Sequence, residues 1–285
     1  MTYHTETVNN IPLKINEMLK RKLDFALKQQ ENDFDVVFLI DGDEGCGKST
    51  FSFSLAWYLT RGKLTMDNIA EGSQDAIKKL QSLPDYSLLI IDEGSLTFSS
   101  RDTMKKENKQ LLKILNVIRQ KKMILIIVCP TFFELEKYLS FRRSRFLLHV
   151  YVDKKTGKRG KFIYFGSKKK KQLYIYGKKN FGSYAYPKSQ FTGSFVDFKL
   201  PFEEEYQKLK RRSLEEAFDE KKAKAFDQTQ IKEARKYLVL KMVRDNPDIP
   251  QRKIAEMLGI NPRTLSRAIQ GIDREKEEIP QIIQY

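Results

Sequence analysis

Cysteine is scarce in this chain. Only Cys46 and Cys129 occur among 285 residues, each inside an apolar stretch and far apart, which argues against a disulfide framework and for a reducing compartment. Long apolar runs are missing too. None reaches the roughly 18 residues that a membrane-spanning helix needs, and the amino terminus MTYHTETVNN is too polar for a signal peptide. Acids are in deficit, 37 Asp and Glu against 53 Lys and Arg, a formal charge of +16. An excess of this size suits a polyanionic partner, with nucleic acid ahead of an anionic membrane surface. Internal repeats at solenoid periods are absent. After Val152 no evident cluster of metal-ligating acids falls at a β-rich site, where Asp153 and Asp197 stand alone, which disfavours a nuclease. The expectation is a soluble cytoplasmic protein of a prokaryotic cell or a virus-infected host cell.

What is present divides the chain. The β-branched run VVFLI (Val36 to Ile40), a glycine loop and KSTFSFSLAWYLT read as strand, loop and buried helix. LLIID (Leu88 to Asp92) and MILIIV (Met123 to Val128) are two more buried strands. Between them KKENKQLLKILNVIRQKK places Leu111, Leu112, Ile114, Leu115 and Ile118 on roughly one helical face. Shorter strands near Asn68 to Ala70 and Phe146 to Val152 would complete five, and strands buried on both faces and alternating with helices predict an α/β fold with a parallel sheet. Residues 1–34 form a helical extension and 35–152 the core in this reading. Residues 153–200 form a basic β-rich extension, 201–230 a charged helical linker, 231–272 a small all-α domain and 273–285 a tail.

Gly42, four residues, then Gly47-Lys48-Ser49 fits G-x-x-x-x-G-K-[ST] between a strand and a helix. In such a loop the backbone amides of Gly42, Gly45, Cys46, Gly47, Lys48, Ser49 and Thr50 converge on the β- and γ-phosphates of ATP. Lys48 adds a point charge and the Ser49 hydroxyl can hold Mg²⁺. Three acids sit among these residues. Because the donors are main-chain groups, Asp43 and Glu44 can project away, either into solvent or towards an arginine of an adjacent subunit; Asp41 ends the strand and caps the loop. Asp92, at the carboxyl end of LLIID, is placed to hold Mg²⁺ through its water shell, and Glu93 beside it to polarise the attacking water.

Between Tyr151 and Val196 twelve Lys or Arg residues face one acid, Asp153. Lys168, Lys169, Lys170 and Lys171 are the densest run. Aromatics are interleaved (Phe162, Tyr164, Tyr174, Tyr176, Phe181, Tyr184, Tyr186), with KFIYF and QLYIYG reading as strands of a ribbon. Lysines of such a face neutralise phosphates, and the rings either stack on bases or form the buried side of the sheet. Further on, IPQRKIAEMLGINPRTLSRAIQ (Ile249 to Gln270) has helix-turn-helix spacing. Ile254, Ala255 and Leu258 line a first helix, Gly259 makes the turn, and Leu265 and Ile269 pack back from the second. A preceding helix near 231–244 would complete three. Arg263, Thr264, Ser266, Arg267 and Gln270 then face the major groove of double-stranded DNA.

In GDEGCGKST, LLIIDEGS and MILIIVCPT the chain resembles the P-loop ATPases with an additional strand and a catalytic glutamate. That group holds RecA-like, FtsK/HerA-like, zonula occludens toxin-like and viral genome-packaging ATPases. The resemblance covers about residues 35–152. It implies a RecA-like P-loop NTPase fold, a homo-oligomeric ring with nucleotide between subunits, and an arginine of one subunit acting on the site of the next. Arg101, Arg142, Arg143 and Arg145 are the candidates for that role, Arg143 and Arg145 favoured. At the polar sensor position, where the FtsK/HerA group has Gln or Asn, this chain departs and offers Thr131. The membrane span of zonula occludens toxin-like relatives has no counterpart in this sequence. The expected activity is a DNA-dependent ATPase motor acting in viral or plasmid genome packaging or transfer. The alternatives are a helicase or replication-initiation ATPase, or a nucleotide-gated transcription regulator.

Overall fold

The aliphatic runs lie side by side in one sheet. The computed structural model describes residues 2–92, 105–212, 241–257, 261–263 and 265, which fall into two units, Met1–Leu209 and Lys210–Tyr285. In the first unit β1 (Tyr3–Val8) and β2 (Ile11–Asn16) form a separate antiparallel hairpin. A seven-stranded sheet is built from β3 (Val36–Gly42), β4 (Ile69–Glu71), β5 (Leu88–Asp92), β6 (Ile124–Val128), β7 (Ser144–Tyr151), β8 (Lys161–Gly166) and β9 (Phe191–Ser194). Its order is β4-β5-β6-β3-β7-β8-β9. The pairings from β4 to β7 are parallel, whereas β8 and β9 join antiparallel at one edge. The strand that ends in Asp92 is thus separated from the strand that ends in the glycine loop by β6. This is the additional-strand, RecA-like order.

Every residue of β3 is buried. Side chains alternate across the sheet with the strand period of two. Val36, Phe38 and Ile40 enter one core layer with α1 (Glu17–Glu31) and α2 (Lys48–Leu59). Val37 and Leu39 enter the other, beneath α3 (Gly72–Ser82), α4 (Lys105–Gln120) and α5 (Ser167–Lys179). At roughly 1.5–3 kcal/mol for each fully buried aliphatic or aromatic side chain, this double coverage fixes β3 at the centre. In α1 the buried residues Leu19, Leu23, Ala26 and Gln30 keep the helical spacing, and Asn16 caps the helix by accepting from the Leu19 amide at 3.2 Å.

QLYIYG is not a strand. It lies in α5, where Lys170, Leu173, Tyr174 and Gly177 are the buried positions. Their i, i+3, i+4, i+7 spacing is the helical signal beneath the aromatic alternation. Lys170 is accordingly no DNA contact: it is fully buried, and its Nζ donates to the Ser144 carbonyl at 2.5 Å and to the Ser144 hydroxyl. A helix over 203–212, here α6, follows. In the second unit residues 241–245 are helical and α7 spans Gln251–Met257. Ile254, Ala255 and Leu265 form its buried core, with Met242, Val243 and Ile249 against them. Leu258, Gly259 and Ile269 lie outside the described residues, as do the side chains of Leu111 and Leu112.

Candidate nucleotide-binding site

The loop between β3 and α2 has a geometry that only glycine permits at its two ends. Gly42 has φ +145°, and a Cβ there would meet the Val150 carbonyl oxygen at 2.0 Å. Gly47, at φ +97°, is the N-cap of α2 and offers no side chain to the first helical amides. Those amides are therefore left to an external acceptor, and the helix dipole favours an anionic one. Lys48 arches back over the loop, its Nζ donating to the carbonyls of Gly42 at 2.7 Å and Asp43 at 2.8 Å. Cys46 is buried under the loop; Ser49 and Thr50 follow in the first turn of α2.

The Ser49 hydroxyl lies 3.1 Å from both carboxylate oxygens of Asp92. A hydroxyl and a carboxylate side by side, next to a phosphate loop, are the oxygen ligands that Mg²⁺ accepts while keeping most of its waters. The residues present thus fit that ion. Tyr206 of α6 completes the cluster. Its hydroxyl donates to Asp92 Oδ2 at 2.6 Å, and its ring packs edge-on against Phe53 of α2. Burial first, and the charge of Asp92 second, hold this phenol well above its ordinary range, so it remains a donor. Sequence reasoning missed Tyr206. It stands in a charged stretch, and only the fold returns it to the site.

The three acids have different fates. Asp43 and Glu44 are exposed and form no ion pair among the described residues. Asp41 is completely buried. It accepts from the Phe132 amide at 2.9 Å and from the Tyr184 hydroxyl, and it faces His149 Nδ1 at 3.2 Å. His149 in turn stacks on Tyr184 with ring centroids 3.6 Å apart. This carboxylate joins the end of β3 to β7 and to the turn after β6. The Gly42 amide, expected among the phosphate donors, instead donates to the Pro130 carbonyl at 3.2 Å and ties the loop to the same turn. Thr131, expected at the sensor position, follows directly, its hydroxyl accepting from the Phe133 amide at 3.4 Å.

Arg143 and Arg145 are placed elsewhere. Val37 pairs with Ser144, so both arginines lie where β3 begins, one strand length from the loop at its far end. Arg143 is paired with Asp35 at 2.6 Å and donates to the Leu115 carbonyl at 3.0 Å. Arg145 donates to Gln29 at 2.9 Å and lies over the Phe34 ring. Neither reaches the phosphate loop of its own chain. Glu93 and Arg101 lie outside the described residues. Lys168 and Lys171 are exposed, whereas Lys169 donates to the Lys188 carbonyl at 2.6 Å. In the second unit Asn261 accepts from the Arg263 amide at 2.9 Å, a side-chain cap at the start of the second helix of the motif, and Arg263 is exposed. Thr264, Ser266, Arg267 and Gln270 lie outside the described residues. Among the described residues no helix is long and apolar enough to cross a membrane.

Residues 233–270 match a family model described as winged helix-turn-helix DNA-binding. No curated protein sequence matches the chain. Among solved structures, the genome packaging NTPase B204 from Sulfolobus turreted icosahedral virus 2, in complex with ATP-gammaS, is similar over 48% of this chain and 94% of its own. Its identity is 15% and its TM-score 0.34. The N-terminal domain of zonular occludens toxin from Neisseria meningitidis is similar over 58% of this chain and 96% of its own, at 15% identity and TM-score 0.35. AMPPCP-bound DnaA from Aquifex aeolicus is similar over 95% of this chain and 92% of its own, at 13% identity and TM-score 0.35. The glycine-loop motif and the sheet order are those of a RecA-like P-loop fold, and residues 233–270 match the winged helix-turn-helix DNA-binding model.

Proposed function

We propose that this chain is a DNA-dependent ATPase motor, coupling Mg-ATP hydrolysis to the movement or remodelling of double-stranded DNA. The observation that supports it most is the Ser49–Asp92 pair beside an uncapped phosphate loop, in a basic chain whose 233–270 segment matches a DNA-binding family. Lys48 and the loop amides hold the β- and γ-phosphates, and Ser49 and Asp92 hold Mg²⁺. The bound ion would supply charge neutralisation on the phosphate oxygens. Glu93, the residue after Asp92, polarises the attacking water. The resemblance to ring ATPases extends the reading to a homo-oligomer. In such a ring Arg145, held by Gln29 and Phe34, is freer to serve a neighbouring subunit than Arg143, which would first have to leave Asp35. Packaging or transfer of a viral or plasmid genome is the process this assembly fits.

Steady-state ATP hydrolysis with and without duplex DNA tests the proposal. Wild type should be stimulated by DNA, Lys48→Ala should lose nucleotide binding and turnover, and Glu93→Gln should bind ATP without hydrolysing it. Full activity in both variants would overturn the site. Slow turnover indifferent to DNA, with tight binding to one operator, would replace the motor by a nucleotide-gated regulator.

A further inference from the structure

The β7–β8 hairpin brackets the phosphate loop. Val150 near the end of β7 presents its carbonyl to Gly42, so closely that no side chain fits between them. The connection that follows is tightly wound: the Gly157 amide donates to the Asp153 carbonyl at 2.7 Å, and the Asp153 carboxylate accepts from the Lys155 amide at 2.9 Å. Its last residue, Gly160, is pinned by the Phe195 amide, which donates to the Gly160 carbonyl at 2.8 Å. Phe195 stacks on Phe51 of α2 at 4.2 Å, and its ring edge comes within 3.5 Å of where a Cβ on Gly47 would sit. The backbone beside residue 159 is therefore anchored to the start of the phosphate-loop helix.

From that anchor Arg159 extends towards the loop. Its guanidinium Nη2 lies 4.0 Å from the position that a Cβ would take on Gly45, a residue inside the G-x-x-x-x-G-K-[ST] span. Arg159 is exposed and, among the described residues, has no hydrogen-bonding or ion-pair partner, although the acids Asp43 and Glu44 stand in the same loop. An unpartnered guanidinium held on a fixed backbone within a side chain's swing of the loop amides is matched to phosphate oxygens, which it can take two at a time.

We propose that Arg159 is a phosphate-contacting residue of the nucleotide site, supplied in cis by the β7–β8 hairpin and reading the terminal phosphates of a nucleoside triphosphate. The proposal rests on the nucleotide-binding part of the reading above, and it names a residue outside the loop motif. It also gives the hairpin a task besides extending the sheet: a triphosphate draws the Arg159 side chain onto the loop, and loss of the γ-phosphate lets it go.

Equilibrium binding of ATP-gammaS and of ADP to the full chain, without DNA, tests this on wild type, Arg159→Ala and Arg159→Lys. Arg159→Ala should weaken ATP-gammaS about 10- to 100-fold while ADP stays within about threefold, the difference expected when a charge-assisted hydrogen bond confined to the last phosphate is removed. Arg159→Lys, which keeps the charge but not the fork, should fall between. Equal losses for both nucleotides, or none for either, would overturn the proposal while leaving the phosphate loop intact. Wild type that binds neither nucleotide would overturn the loop reading and this one with it. Unchanged nucleotide affinities with weaker, less salt-dependent duplex binding would assign Arg159 to DNA instead and overturn the proposal. Because the side chain is exposed, unfolding of the variants in urea should match wild type.

Discussion

Tyr206 reaches Asp92 from 114 residues along the chain, and it makes the carboxylate proposed to hold Mg²⁺ sensitive to a residue beyond the phosphate-binding motifs. Tyr206→Phe keeps the ring against Phe53 and removes only the donor. A buried carboxylate deprived of one hydrogen bond costs about 1–3 kcal/mol, so the urea midpoint should fall with an unchanged slope. The Mg²⁺ dependence of ATP-gammaS binding should shift as well, because Asp92 loses the group that orients it; an unmoved midpoint and an unmoved Mg²⁺ dependence would deny the hydroxyl any role. At this scale the sequence was legible where the site is local. Gly42 to Thr50 declare themselves in nine consecutive residues, and Asp92 by ending an apolar strand. Asp41 did not, since its partners Phe132, His149 and Tyr184 stand 91, 108 and 143 residues away. Nothing local distinguishes a buried carboxylate of that kind from an exposed one.

α5 is the element that reverses a sequence expectation, and Lys170 is its measurable consequence. Burial pushes this lysine down to about 7 from its ordinary 10.5. From about pH 7 upward the folded chain has released a proton that the unfolded chain still holds. Stability contributed at this site therefore rises with pH across that window and is at its lowest below it. Urea unfolding of wild type should strengthen between about pH 7 and pH 9 relative to Lys170→Met, in which this titration is gone. Parallel pH profiles would mean that Lys170 stays hydrated. Of the five parallel strands, β3, β5 and β6 were readable because burial on both faces leaves an unbroken apolar run. The helix was not, because aromatics in alternation imitate a strand, and the face that matters includes a lysine.

For the molecule as a whole, the two features proposed to contact DNA should separate by salt. Arg267→Ala should weaken a preferred duplex by about 1–3 kcal/mol and a random one much less, as expected for a base contact. Replacing Lys168 and Lys171, both exposed on α5, should instead weaken all duplexes alike and lower the slope of log K against log salt by about 0.9 for each phosphate no longer neutralised. Identical behaviour of the two variants would dissolve the distinction between reader and basic face. One property of the entire chain bears on how such experiments are done. Its only two thiols are sealed, Cys46 beneath the phosphate loop and Cys129 at the end of β6, and burial raises the pKa of both. Since the thiolate is the reactive form, maleimide dyes should ignore the native chain and couple only to a cysteine placed on its surface. The number of copies in one particle could then be counted by stepwise photobleaching without first stripping the loop of Cys46.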